Sequence, residues 1–139
     1  MMNKDWLYYG VFFSDSTKRT IYDYVSKFLS ENGYSISKDW KKYCDHMTLV
    51  FNHHNDHTES LAQFYEKFLG DTVSLRSTSV GISERAIALG IDYITDNKHS
   101  HVTVTIHPNA KPVESNNITN WIPTDEDFYI TGTFKKITK

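Results

Sequence analysis

The chain has 139 residues, 39% hydrophobic, 14% aromatic and 23% charged, with a formal net charge of -2 at pH 7. That length fits a single domain over residues 1–139, large enough for a core without disulfides, and the charge excludes a protein that coats nucleic acid by surface charge alone. One cysteine, Cys44, excludes an intrachain disulfide framework, and no apolar run nears the roughly 18–20 residues of a membrane helix.

Trp6 to Phe13 is rich in aromatic and β-branched residues and predicts a first strand. Alternation places Leu7, Tyr9, Val11 and Phe13 on one face, and Trp6, Tyr8, Gly10 and Phe12 on the other. Gly10 leaves room beside Tyr8. Ser14, Asp15 and Ser16 offer helix caps. Ile21, Tyr24, Val25, Phe28 and Leu29 follow at helical spacing, and Gly33 ends that helix. Tyr43 to Asn52 predicts a second strand, with Met47, Leu49 and Phe51 on one face and His46, Thr48 and Val50 on the other. Asp56 and Glu59 form a candidate capping box for a helix carrying Leu61, Phe64, Tyr65 and Phe68, which stops at Gly70. Thr72 to Ile82 and Ala86 to Ile91 predict two strands around Ser83-Glu84-Arg85. His101 to His107 alternates again, with Val102, Val104 and Ile106 opposite His101, Thr103, Thr105 and His107. Pro108 to Pro123 is polar, holds all three prolines and reads as a long loop. Phe128 to Ile137 supplies the last strand. The order predicts an α+β domain with mostly antiparallel pairing.

All seven histidines lie between positions 46 and 107, and histidine is the side chain for proton transfer near neutral pH. Two of them open the same pattern: His46-Met47-Thr48-Leu49 and His101-Val102-Thr103-Val104. On a strand, residues i and i+2 face the same way. Each motif therefore sets an imidazole beside a hydroxyl and anchors its apolar residues in the core. Two such strands at one cleft suit hydrolysis of a cyclic phosphodiester. One neutral His takes a proton from water, and the other, protonated, gives one to the departing ribose oxygen. Thr48 and Thr103 hydrogen-bond the phosphate oxygens. This scheme calls for no metal and no cofactor. The residues alone equally admit ordinary half-buried strand histidines.

Paired motifs of this kind, one in each half of a small α+β domain, resemble the 2H phosphoesterase superfamily. The stretch Trp40 to Val50 is most similar to the cyclic phosphodiesterase domain of fungal-type tRNA ligases and to small viral phosphoesterases. Arg85 to Leu89, followed by His101 to Val104 and Lys111 to Asn116, strengthens the likeness. The resemblance implies a two-lobed fold, with antiparallel sheets flanking a central cleft and helices outside. It also implies catalytic His46, Thr48, His101 and Thr103. The substrate would be an RNA 2′,3′-cyclic phosphate end, a cyclic nucleotide or a cyclic oligonucleotide. A non-catalytic RNA- or nucleotide-binding domain on the same fold is the alternative.

Tyr8 and Trp121 are candidates to stack a base, with Trp40 and Tyr129 behind them, and Ser115 and Glu114 lie on a loop able to close over a ligand. Arg76, Arg85, Lys135 and Lys136 could meet phosphates. His53, His54, His57, His99 and His107 admit a metal-binding reading, and Cys44, two residues before His46, admits a nucleophile. With neither a leader pattern near the N-terminus nor a membrane span, the expected compartment is the cytoplasm (of a host, if the chain is viral), with no obligate protein partner.

Overall fold

The computed structural model describes residues 5–139. Residues 1–4, part of the stretch expected to lack a leader, lie outside the described residues. The chain runs β1 (Trp6–Phe12), α1 (Asp15–Glu31), β2 (Lys41–Lys42), β3 (His46–Phe51), α2 (Asp56–Glu66), β4 (Thr72–Ile82), β5 (Ala86–Ile91), β6 (His101–Ile106), a 3-10 helix (Pro112–Asn117), β7 (Asn120–Pro123) and β8 (Tyr129–Thr138). The strand pairings are antiparallel, so the α+β class holds. None of the described helices is long and apolar enough to cross a membrane.

Local chemistry accounts for the helix ends. Ser14 caps α1 by accepting from the Thr17 amide. At the other end Gly33 adopts φ +85, and the Gly33 and Tyr34 amides return to the Ser30 and Leu29 carbonyls. This paired closure needs a left-handed residue, and glycine takes that conformation without strain. For α2 the expected Asp56–Glu59 box is corrected. Asn55 is the cap, and its side chain accepts from the Thr58 amide at 2.9 Å.

Two stretches differ from expectation. The strand expected from Tyr43 begins only at His46, because Cys44 sits at φ +60, outside the strand region. Tyr43 and Cys44 still donate to the Val104 and Thr103 carbonyls. The loop expected over 108–123 contains both the 3-10 helix and β7, and β7 pairs with β4 at Gly81↔Trp121.

The sheet has two arms that share the long strand β4. The first half of β4 pairs with β8, followed by β1 and β3. Its second half pairs with β5 and β7, and β5 leads to β6 and β2. The free flanks of β3 and β6 then meet at a single partner pair, Met47↔Val102. The strands expected as two sheets are thus joined into one.

Three bulges reassign faces that strict alternation would fix. An extra residue at Leu7, between Trp6↔Thr138 and Tyr8↔Ile137, turns Trp6 onto the Tyr9 face. The two rings pack edge to face at 5.2 Å, both fully buried. An extra residue at Leu49, between Tyr9↔Val50 and Gly10↔Thr48, sends Val50 into the core and leaves Phe51 44% exposed on the other side. An extra residue at Val104, between Ile87↔Thr105 and Ala88↔Thr103, buries Thr105 in the core. It also removes His107 from the His101 face, and His107 packs edge-on against Trp40 instead.

The main core lies between the helices and one sheet face. Ile21, Val25 and Leu29 of α1 and Ala62 and Tyr65 of α2 pack there with Met47, Leu49, Val102 and Val104. Truncating Met47 or Leu49 to Ala should cost about 2–5 kcal/mol. A second, smaller cluster on the opposite face joins Ala86, Ala88, Ile106 and Ile118 to Trp121. The site lies on that opposite face.

Candidate active site

The Met47↔Val102 pair joins the middle residues of the two His-x-Thr motifs. Antiparallel register then sets His46 across from Thr103 and Thr48 across from His101. Because Met47 and Val102 are fully buried in the main core, their neighbours face away from it. His46, Thr48, His101 and Thr103 all line one cavity of about 530 Å³, a usual size for a small-ligand site. Tyr8 lines it as well. Sequence reasoning missed Tyr43, Asp45, Phe51, Asn97, Pro112, Val113 and Asn116, and considered His53 only as a metal ligand; all eight contribute to the wall. No lysine or arginine is among these lining residues.

His46 is held by aromatic rings. Its imidazole stacks on Tyr8 at 5.1 Å and on Phe12 at 4.9 Å. Gly10 lies between those two rings in β1. A Cβ there would stand 3.1 Å from the Met47 carbonyl, 3.2 Å from the Phe12 ring and 3.4 Å from the His46 ring. The missing side chain lets the imidazole lie close against β1. His46 Nε2 is 3.1 Å from Thr48 Oγ1. Burial holds the His46 pKa below its ordinary value; neighbouring Asp45 opposes that shift and His101 adds to it. Asp45 is itself paired with Lys18 of α1 at 3.1 Å.

His101 is held differently. Its Nδ1 lies 2.7 Å from the His99 carbonyl. A carbonyl can only accept, so Nδ1 carries the hydrogen and the neutral ring keeps a lone pair on Nε2. His101 is 7% exposed, and burial lowers its pKa, while the bond to His99 raises it and the His99 ring lowers it.

Ser115 is 1% exposed and does not line the cavity, which corrects its expected place on the ligand. Its hydroxyl donates to the Pro112 carbonyl at 2.7 Å and lies 2.7 Å from Thr103 Oγ1. A hydroxyl has one hydrogen. With that of Ser115 directed to Pro112, Thr103 must donate to Ser115 and offers lone pairs to the cavity. The 3-10 helix carrying Ser115 is tied down by Arg85, which bonds Glu114 and the Asn109 carbonyl. Arg85 is therefore engaged in a structural pair, and Glu114 serves as its partner.

Trp121 also lies off the cavity wall. Its ring stacks on His99 at 3.8 Å and 6°, which corrects its expected role against a base. Among the other candidates, Arg76 pairs with Asp92 and Lys136 with Glu66. Lys135 stands 5.8 Å over the Phe12 ring. His57 bonds Asp96 at 2.8 Å, and His53 tilts against Phe51. Among the described residues no three His, Cys, Asp or Glu side chains gather as a metal site would need. Cys44 is 2% exposed in the main core, and burial pushes its thiol up to about 12. It is a buried apolar residue rather than a thiolate nucleophile. Compared with models of known protein families and with curated protein sequences, the chain gives no match.

Proposed function

We propose that the chain is a phosphodiesterase of the 2H type, opening 2′,3′-cyclic phosphates of RNA ends or nucleotides, or cyclic oligonucleotides, by two-histidine acid–base catalysis. The observation that carries this reading is the Met47↔Val102 pair, which sets two imidazoles and two threonine hydroxyls around one cavity. In the proposed step water attacks phosphorus. Nε2 of His101, unprotonated in the bond to His99, takes the proton from that water. His46, whose pKa burial depresses and neighbouring Asp45 partly restores, gives one to the departing ribose oxygen as its P–O bond breaks. The product is a phosphomonoester. The threonines contact the non-bridging oxygens, Thr103 after turning its hydroxyl away from Ser115. The wall offers hydroxyls and imidazoles, no lysine or arginine, and one carboxylate, Asp45, which is paired with Lys18; this suits the single charge of a diester better than the two charges of the product. On this reading the two arms of the sheet are the two lobes of the fold, and the cytoplasm is the expected compartment.

The test is a substrate panel: 2′,3′-cyclic mononucleotides, RNA ending in a 2′,3′-cyclic phosphate, and cyclic di- and trinucleotides, each with chelator present. The expected result is turnover of at least one diester in chelator. Saturable binding with no turnover of any of them would replace the reading with a binding module. Turnover that chelator abolishes would replace it with metal-dependent hydrolysis.

A further inference from the structure

We infer that Trp121 is a positioning residue for His101 and that it acts through His99. The inference builds on the acid–base role proposed for His101, and its structural part is testable apart from that role. The His99 carbonyl holds the hydrogen on His101 Nδ1 at 2.7 Å. The ring of that same His99 lies flat on the Trp121 indole, 3.8 Å away. His99 sits two residues before β6, at the end of the connection from β5; Ser100 between them accepts from the Ile91 amide, whereas the His99 carbonyl lies outside the strand pairings and meets the His101 ring. The stack supplies its anchor.

The indole is itself fixed. Its Nε1 donates to the Ile118 carbonyl at 3.1 Å, and β7 holds Trp121 opposite Gly81. A Cβ on Gly81 would stand 2.6 Å from the indole, so that glycine is the seat of the ring. Gly90 does the same for the imidazole: a Cβ there would lie 3.0 Å from His99 Nε2 and 2.2 Å from Ser79 Oγ. Two neighbouring strands thus give up side chains to admit a stack whose rings lie behind the cavity wall, the indole also tilting against the His101 ring at 6.2 Å. Its output is the orientation of the His99 carbonyl. Without that acceptor the His101 hydrogen moves to Nε2, the form preferred by a free imidazole, and the lone pair needed by a general base is lost.

The experiment uses the full chain with ring-15N-labelled histidine, read by NMR above the pH range where histidine titrates. In the wild type, His101 should show one form, protonated on Nδ1 and bare on Nε2. Trp121→Ala should give a mixture weighted to the Nε2 form, with kcat lower by roughly tenfold and KM little changed. Trp121→Phe, which keeps an aromatic face for His99, should restore both readings. His99→Ala keeps the carbonyl but removes the ring, and should mix the forms as Trp121→Ala does. The double variant should be no worse than either single one. A single Nδ1–H form of His101 in His99→Ala overturns the inference whether or not Trp121→Ala folds, as does an additive double variant where it folds. The tautomer reading needs no turnover, so it stands or falls independently of the phosphodiesterase reading.

Discussion

The two His-x-Thr strands carry the same four-residue pattern, yet their surroundings have little in common. In β3 the imidazole lies against the Tyr8 and Phe12 rings, and the threonine hydroxyl lies beside its own histidine. In β6 the imidazole is gripped by one nitrogen, through the His99 carbonyl, and the threonine hydroxyl is turned to Ser115. Stacking fixes no tautomer of His46, and the Thr48 hydroxyl at Nε2 can either donate or accept. The carbonyl fixes which nitrogen of His101 is bare. A repeated motif thus sets position, while its neighbours set protonation, which is what gives the two histidines different roles in the proposed step.

Replacing each histidine is the strongest way to break this comparison. His46→Ala and His101→Ala should each lower turnover by about 10²–10⁴-fold while thermal unfolding stays cooperative. Their residual pH profiles should differ: the acid limb disappears in His101→Ala, and the alkaline limb disappears in His46→Ala. Identical residual profiles would sink the separate roles. Gly10→Ala acts on one half only. Its methyl group presses on the Met47 carbonyl and the Phe12 ring and shifts His46, so kcat should fall roughly tenfold to a hundredfold. The His101 tautomer should be unchanged in the same sample.

The pH dependence follows from two depressed values. Both histidines titrate below the ordinary 6.5, chiefly because they are buried. The singly protonated pair is most populated between the two, so kcat/KM should peak on the acid side of 6.5. For stability, the unfolded chain binds these protons at a higher pH than the folded one, so stability rises with pH across that window. The penalty is absent well above 6.5, grows as pH falls through it, and levels off below the folded-state values. Urea unfolding of wild type against the double alanine variant should show it, with the variant flatter. The smallest effect concerns Thr105. The Val104 bulge buries its hydroxyl, and among the described residues that hydroxyl has no hydrogen-bond partner. Thr105→Val should raise stability by about 1 kcal/mol, leaving turnover unchanged.

Much of this was legible in the chain. The two long helices, six of the eight described strands (all but β2 and β7) and both His-x-Thr faces follow from periodicity, because their apolar spacing is regular. What alternation could not show is where it stops. Alternation groups Phe51 with Met47 and Leu49, and the bulge at Leu49 turns it into the cavity wall. Alternation sets Trp6 beside Tyr8, and the bulge at Leu7 buries it against Tyr9. A bulge is fixed by the partner strand's register, which no local pattern records. The three prolines made 108–123 read as loop, although Pro112 begins a short helix and Pro123 ends a strand on the flank of β4. Trp121 was expected against a ligand because a lone aromatic in a loop reads as exposed. Its seat on Gly81, forty positions away, is a tertiary fact.

One consequence concerns the middle letters of the two motifs. Met47 and Val102 lie in the core and off the cavity wall, yet among the described residues they form the one rung that β3 and β6 share. The spacing between the two imidazoles is therefore gauged by a single crossbar of backbone and core packing. Trimming either residue would loosen the jaw of a vice whose gripping faces are all still present.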